Sequence, residues 1–145
     1  MPSPKLLWLL AALVLQTNIS QADTANQLTF FGTNAYQLTK EVVASEFNLN
    51  LTSYNLDAQR NLEAMIGAGL PEDREEAQKI ATKRMESIDE AITTKILYGT
   101  ALLFKWDIKK LPAFVFGDGK YVIYGITNTK SAIDIFLKSR KYTEY

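Results

Sequence analysis

Cysteine and histidine are both absent from the 145 residues. Cysteine proteases, thiol–disulfide oxidoreductases, serine hydrolases with an imidazole base and zinc sites built on nitrogen or sulfur ligands each need one of those groups. All are excluded for this sequence. An excess of charge is also lacking: 16 basic side chains balance 16 acidic ones, and the pI is about 6.3. Direct nucleic-acid binding therefore loses its usual driving force, the release of counterions by a basic surface. No apolar run reaches the ~20 residues that a membrane-spanning helix needs. What is present, 47% hydrophobic and 22% charged residues, is the composition of an ordinary globular domain.

The first 22 residues read as an export signal. A short start with one basic residue, Lys5, leads into the apolar stretch Leu6 to Leu15, and a polar segment ends in Ser20-Gln21-Ala22. Small residues at positions 20 and 22 suit the pocket of a signal peptidase, so cleavage is expected after Ala22. Two alternatives are a retained membrane anchor and a buried amphipathic helix. Cleavage would leave 145 − 22 = 123 residues, 23–145, as one domain with no stable membrane span. A chain of that size can bury enough apolar surface to fold without disulfides.

Periodicity divides this domain into alternating elements. Leu28 to Thr33 is apolar on both faces, as a strand inside a sheet requires. From Tyr36 to Phe47 the apolar residues Leu38, Val42, Val43 and Phe47 form one helical stripe, and Leu49 to Leu56 reads as a second strand. Residues from about 57 to 105 form a helical insertion. Asp57 caps its first helix, which ends at Gly67 and Gly69, and Pro71 opens the next, followed by Glu72, Asp73, Glu75 and Glu76 at the positive end of the dipole. This acidic run is a helix start and not a metal site, because no calcium-loop pattern surrounds it. The stripe continues from Ala77 to Ile96, but a single helix from Glu72 to Phe104 would be about 50 Å long at ~1.5 Å per residue, against ~35 Å for the domain. A break is expected between Met85 and Asp89 or at Gly99. Ala113 to Phe116 and Tyr121 to Tyr124 flank Gly117-Asp118-Gly119 and make a β-hairpin. Thr127, Asn128 or Thr129 then caps a last helix carrying Ala132, Ile133, Phe136 and Leu137. The class is α/β.

This order, with Leu111-Pro112 before Ala113-Phe114-Val115-Phe116, the Asp-Gly turn and Tyr121 to Gly125, resembles a thioredoxin-like fold: a mixed sheet with a helical insertion between the second and third strands. In that fold the proline is cis and faces the end of the first strand, and the resemblance gives Pro112 this place. A trans proline at a strand start is the alternative. The redox members carry Cys-x-x-Cys where this sequence has Gly32-Thr33-Asn34-Ala35-Tyr36, so their chemistry transfers to no residue. Thr33 and Asn34 are suited to capping the helix that follows. The resemblance implies a shallow peptide-binding or partner-binding groove formed by Gly32, Thr33, Asn34, Leu111 and Pro112, with strand-like backbone pairing supplying affinity. Tyr36, Trp106, Tyr142 and Tyr145 are of the types enriched in protein contacts, although packing in the core is the simpler role for Trp106.

Asn55-Leu56-Asp57, Leu62-Glu63, Ala68-Gly69-Leu70-Pro71, Ala77, Arg84, Lys110 to Phe116 and Tyr124-Gly125-Ile126-Thr127 together resemble exported proteins encoded by integrating conjugative elements among F-type-like transfer genes. That resemblance implies a non-catalytic periplasmic component of a conjugative type IV secretion apparatus, akin to the thioredoxin-like TrbC and TraW proteins. It would act in pilus or channel assembly through contacts with other conjugation or secretion proteins. A stand-alone periplasmic peptide-binding or chaperone-like protein is the alternative. No enzyme activity, cofactor or metal is expected, since no pair of carboxylate, Lys, Tyr or Thr side chains stands out at a strand end.

Overall fold

The computed structural model describes residues 25–141; the segment expected to be an export signal and the aromatic residues Tyr142 and Tyr145 lie outside them. The elements run β1 (Gln27–Gly32), α1 (Val43–Glu46), β2 (Asn50–Asn55), α2 (Ala58–Gly67), α3 (Arg74–Glu86), α4 (Glu90–Lys105), β3 (Ala113–Phe116), β4 (Tyr121–Tyr124) and α5 (Thr129–Lys141). The four strands form one mixed sheet in the order β2-β1-β3-β4. β1 runs parallel to β2, pairing Phe31 with Tyr54, and antiparallel to β3, pairing Phe31 with Ala113. β3 and β4 form the expected hairpin, with Phe114 opposite Ile123.

Alternation along the central strands divides their side chains between two cores. On one face, Leu28, Phe30, Phe114 and Phe116 meet Ala44 of α1 and Ala132 and Ile133 of α5. On the other, Phe31, Ala113 and Val115 meet Tyr54, Leu102 of α4 and Ile108. Helices thus cover both faces of the sheet, which explains why the central strands are apolar on both sides. Each fully buried Phe or Leu stabilises the fold by about 1.5–3 kcal/mol, and stacking of Phe116 on Phe136 fastens α5 to the sheet, with ring centroids 4.1 Å apart.

The helix expected over Tyr36–Phe47 shrinks to Val43–Glu46. Thr39 is drawn instead into a parallel bridge with Asn128: its N–H donates to the Thr127 carbonyl at 2.9 Å and its carbonyl accepts from the Thr129 N–H at 3.1 Å. Lys40 follows at φ +60°, a left-handed conformation that ends any helical run through it. The stripe still reports packing, for Leu38 and Val43 lie against the first core. Val42, by contrast, is exposed.

Within the insertion the helix begins at Arg74, after Pro71, because Asp73 is the cap: its carboxylate accepts from the Glu76 N–H at 2.9 Å. The break falls between Glu86 and Glu90, where Asp89 starts α4 by accepting from the Ala91 N–H at 2.9 Å. Gly99 does not break α4. It lets the helix lie against Tyr54, since a Cβ there would come within 2.5 Å of the tyrosine ring. At the last helix Asn128 is the capping residue, its side-chain oxygen accepting from the Ser131 N–H at 3.1 Å.

Candidate functional site

The C-terminal ends of the parallel strands β1 and β2 open at the same edge of the sheet, and the chain there is shaped by Gly32. A Cβ at this position would stand 2.4 Å from the Tyr36 carbonyl oxygen and 2.5 Å from the Phe30 ring. Only glycine lets the backbone fold back so closely. Thr33 and Tyr36 then close a tight turn, each N–H donating to the other's carbonyl at 3.2 Å, and the Thr33 hydroxyl oxygen also accepts from the Tyr36 N–H at 3.2 Å. Thr33 therefore stabilises a turn and caps no helix.

Asn34 also has a different role from the expected cap. Its N–H donates to the Asp57 carboxylate at 3.0 Å, its side-chain amide donates to Asn61 at 2.9 Å, and its side-chain oxygen accepts from Asn55 and Asn61 at 2.9 and 3.0 Å. Asp57 is thereby turned away from capping α2, where it makes no side-chain cap bond. The four residues join the β1 turn to the end of β2 and the first turns of α2. Sequence reasoning missed Asn55 and Asn61 as members of this cluster; their signal is a set of amide side chains at the ends of predicted elements.

Antiparallel pairing of Phe31 with Ala113 sets the next residues along the two strands, Gly32 and Pro112, at the same end of the sheet. The Leu111–Pro112 peptide bond is cis. Pro112 is buried, and its carbonyl accepts from the Gly125 N–H at 2.9 Å. Leu111 is half-buried and packs against the second core beside Leu56, Leu103 and Val122. Gly32 and Thr33 line a depression of about 190 Å³ with Tyr36, Gln37, Ser53 and Asn55, and neither Leu111 nor Pro112 contributes to it. Asn34 is tied to the β2 flank, whereas Leu111 and Pro112 belong to the β3 flank.

A larger groove lies on the opposite face of β2. Tyr54, Asn55 and Leu56 form one wall and Ile92, Lys95, Ile96 and Gly99 of α4 the other, enclosing about 250 Å³. Burial raises the Tyr54 hydroxyl above the ordinary tyrosine pKa, with a further push from Tyr98. Tyr54 is thus a neutral wall residue at pH 7. Beyond it, Lys105 and the Trp106 indole hold Asp118 of the hairpin turn at 2.9 and 3.1 Å. Trp106 is half-buried and packs edge-on against Phe31, so it joins the core to the hairpin. Among the described residues no group of acidic side chains is placed to hold a metal ion, and no helix is long and apolar enough to cross a membrane.

No curated protein and no solved structure matches the chain. One family model, described as "Protein of unknown function (DUF1525)", matches residues 34–142, from the turn after β1 through the last helix. The chain belongs to this DUF1525 family.

Proposed function

We propose that this protein is an exported, non-catalytic component of a bacterial conjugative transfer apparatus, acting in the periplasm through contacts with other proteins of the secretion channel or pilus. The observation that carries the reading is the surface of the helical insertion. Leu97 and Phe104 of α4 are 64% and 76% exposed, and with Ala101 they form a stripe on the side of the helix away from Gly99 and Leu102. A helix apolar on both sides is ordinarily covered on both. Exposed apolar surface rimmed by polar residues marks a protein contact. The resemblance of the Leu111 to Phe116 and Tyr124 to Thr127 segments to conjugative-element proteins names the machinery.

The strand order β2-β1-β3-β4, with Pro112 beside Gly32 and helices on both faces, supports a thioredoxin-like scaffold. With no cysteine in the sequence, such a scaffold has no thiolate for exchange and works by binding. Deleting the gene from a donor strain is expected to depress mating sharply, with recovery on supplying the wild-type copy. Replacing Leu97 and Phe104 by Asp is expected to leave that defect unrescued while the purified protein melts as the wild type does. Unchanged mating after deletion would remove the conjugative role.

A further inference from the structure

We infer that the free edge of β2 binds an extended peptide segment of a partner, one carrying an aliphatic side chain with a carboxylate two residues away. The inference deepens the partner-binding reading above and rests on it. β2 is the terminal strand of the sheet. The Asn50 and Leu56 N–H groups donate inward, to Asn26 and Gly32, and in a parallel ladder the direction of the backbone groups alternates along the strand. The N–H and C=O groups of Leu51 and Ser53 therefore point outward, away from β1. Natural edges are blunted by charge, proline or a covering element. The sequence Asn50-Leu51-Thr52-Ser53-Tyr54-Asn55 has neither charge nor proline, and among the described residues no strand pairs with its outer side.

What lies beside the edge defines the partner. A strand added to β2 would send alternate side chains to the α4 face, at the ~6.8 Å spacing of every second residue. Two depressions lie there in succession: the 250 Å³ groove at Tyr54 and Leu56, and a polar one of about 290 Å³ at Asn50 and Thr52. The first is walled by Ile92, Ile96 and Leu56, which suits an aliphatic side chain. Lys95 also lines it and has no ion-pair or hydrogen-bond partner among the described residues. A carboxylate on the same face of the added strand would meet that ammonium. β2 of a second copy contains no acidic residue, so pairing between two β2 edges would leave Lys95 without a counter-ion. The charge pattern thus selects a foreign acidic strand over a second copy.

The test uses the purified chain and end-blocked octapeptides of alternating Thr and Val, with Leu at one position and Asp two residues on, followed by fluorescence anisotropy. Exchanging the Leu for Ala is expected to weaken binding about tenfold, the scale of a lost aliphatic contact. Exchanging Asp for Lys weakens it about threefold, as an exposed charge pair warrants, and Lys95→Glu reverses the preference between these two peptides. Methylating the peptide nitrogens that face β2 abolishes binding without any change to the protein. Ser53→Pro, which removes an outward N–H at an edge position where proline is tolerated, does the same.

Binding indifferent to N-methylation, or a peptide preference unmoved by Lys95→Glu, overturns the inference. So does the absence of binding at millimolar peptide, or a dimer in sedimentation that Ser53→Pro dissolves. A mating defect with no edge-dependent peptide binding overturns the site alone. Edge-dependent peptide binding without a mating defect supports the site and overturns the conjugative role.

Discussion

Leu28, Phe31, Phe114 and Val115 in the sheet are wholly buried, whereas α2 and α3 of the insertion bury no residue at all. The two regions are held by different forces. The sheet is fixed by apolar packing on both faces. The α2–α3 pair relies on its polar ends: Asp73 caps α3, and the Arg84 guanidinium donates to the Ile66 and Ala68 carbonyls at 2.8 and 2.7 Å, satisfying carbonyls that a helix end leaves without partners. Between these extremes α4 buries Gly99 and Leu102 toward Tyr54 and turns Leu97 and Phe104 outward. A region that contributes little to the core can present apolar groups to a partner without loss of stability. The fold thus rests on its sheet, while the outward apolar groups Leu97 and Phe104 lie on the insertion.

The sharpest way to break this comparison is to truncate an aromatic residue in each region. Phe114→Ala empties a site packed against the Phe30 ring, whose centroid is 4.8 Å away, and is expected to cost about 3–5 kcal/mol. Phe104→Ala is expected to fall within ~0.5 kcal/mol of wild type, as a surface change should. Urea unfolding measures both. Equal losses would mean that Phe104, on the outer side of α4, is packed as tightly as Phe114.

A smaller effect tests the junction between the regions. Alanine is ordinarily preferred over glycine inside a helix by ~1 kcal/mol, so Gly99→Ala would stabilise α4 if the position were free. It is not free: the added methyl meets Tyr54 near the root of its ring, and Tyr54 is itself stacked on Phe31 at 5.6 Å between centroids. Net destabilisation of about 1–3 kcal/mol is expected, the usual cost of overpacking. A rise in melting temperature would show that α4 is docked loosely enough to move away.

The parts of the fold legible in the sequence are those governed by local pattern. Phe114 and Val115 stand in an apolar run before an Asp-Gly turn, and β1 is apolar on both faces; both strands form, with the expected pairing of the hairpin. The length argument required a break because it rested on domain size and not on propensity; of the two places offered, Met85–Asp89 is where it falls and Gly99 is not. The Tyr36–Phe47 helix failed for a non-local reason. Its backbone groups at Thr39 are taken by residues 127–129, some 90 positions away, and no window of sequence reports that competition. At the site, Gly32 and Pro112 were legible as turn and strand-start residues, but the Asn34–Asn55–Asp57–Asn61 cluster was not. Asparagine has many uses at element ends, and which one is chosen depends on the parallel pairing of β1 with β2. Lys95 was equally silent, one lysine on a helix until α4 is seen to lie beside an open edge.

The smallest expected effect concerns the tie between the insertion and the hairpin. Hydrogen bonds from Lys105 and then Trp106 hold the Asp118 carboxyl below its ordinary value of 3.8, against an opposing effect of burial and with smaller help from the charges of Lys105 and Lys120. Because the folded pKa lies below the unfolded one, the unfolded chain binds the proton more readily. This contribution to stability is therefore complete above the unfolded value and is lost as pH falls through the depressed folded value. Asp118 is 46% exposed and Lys105 58%, so solvent screens the pair and the gain is a modest fraction of an isolated ion pair's. Asp118→Asn keeps the shape of the turn and retains an acceptor for the indole, yet removes the charge. Melting temperatures of wild type and variant should differ slightly at pH 6 and converge as pH falls below 3.8 and through the depressed folded value, the difference shrinking in high salt. A difference that persists unchanged into strong acid would assign the tie to the shape of the turn and leave the carboxylate charge no part in joining α4 to the hairpin.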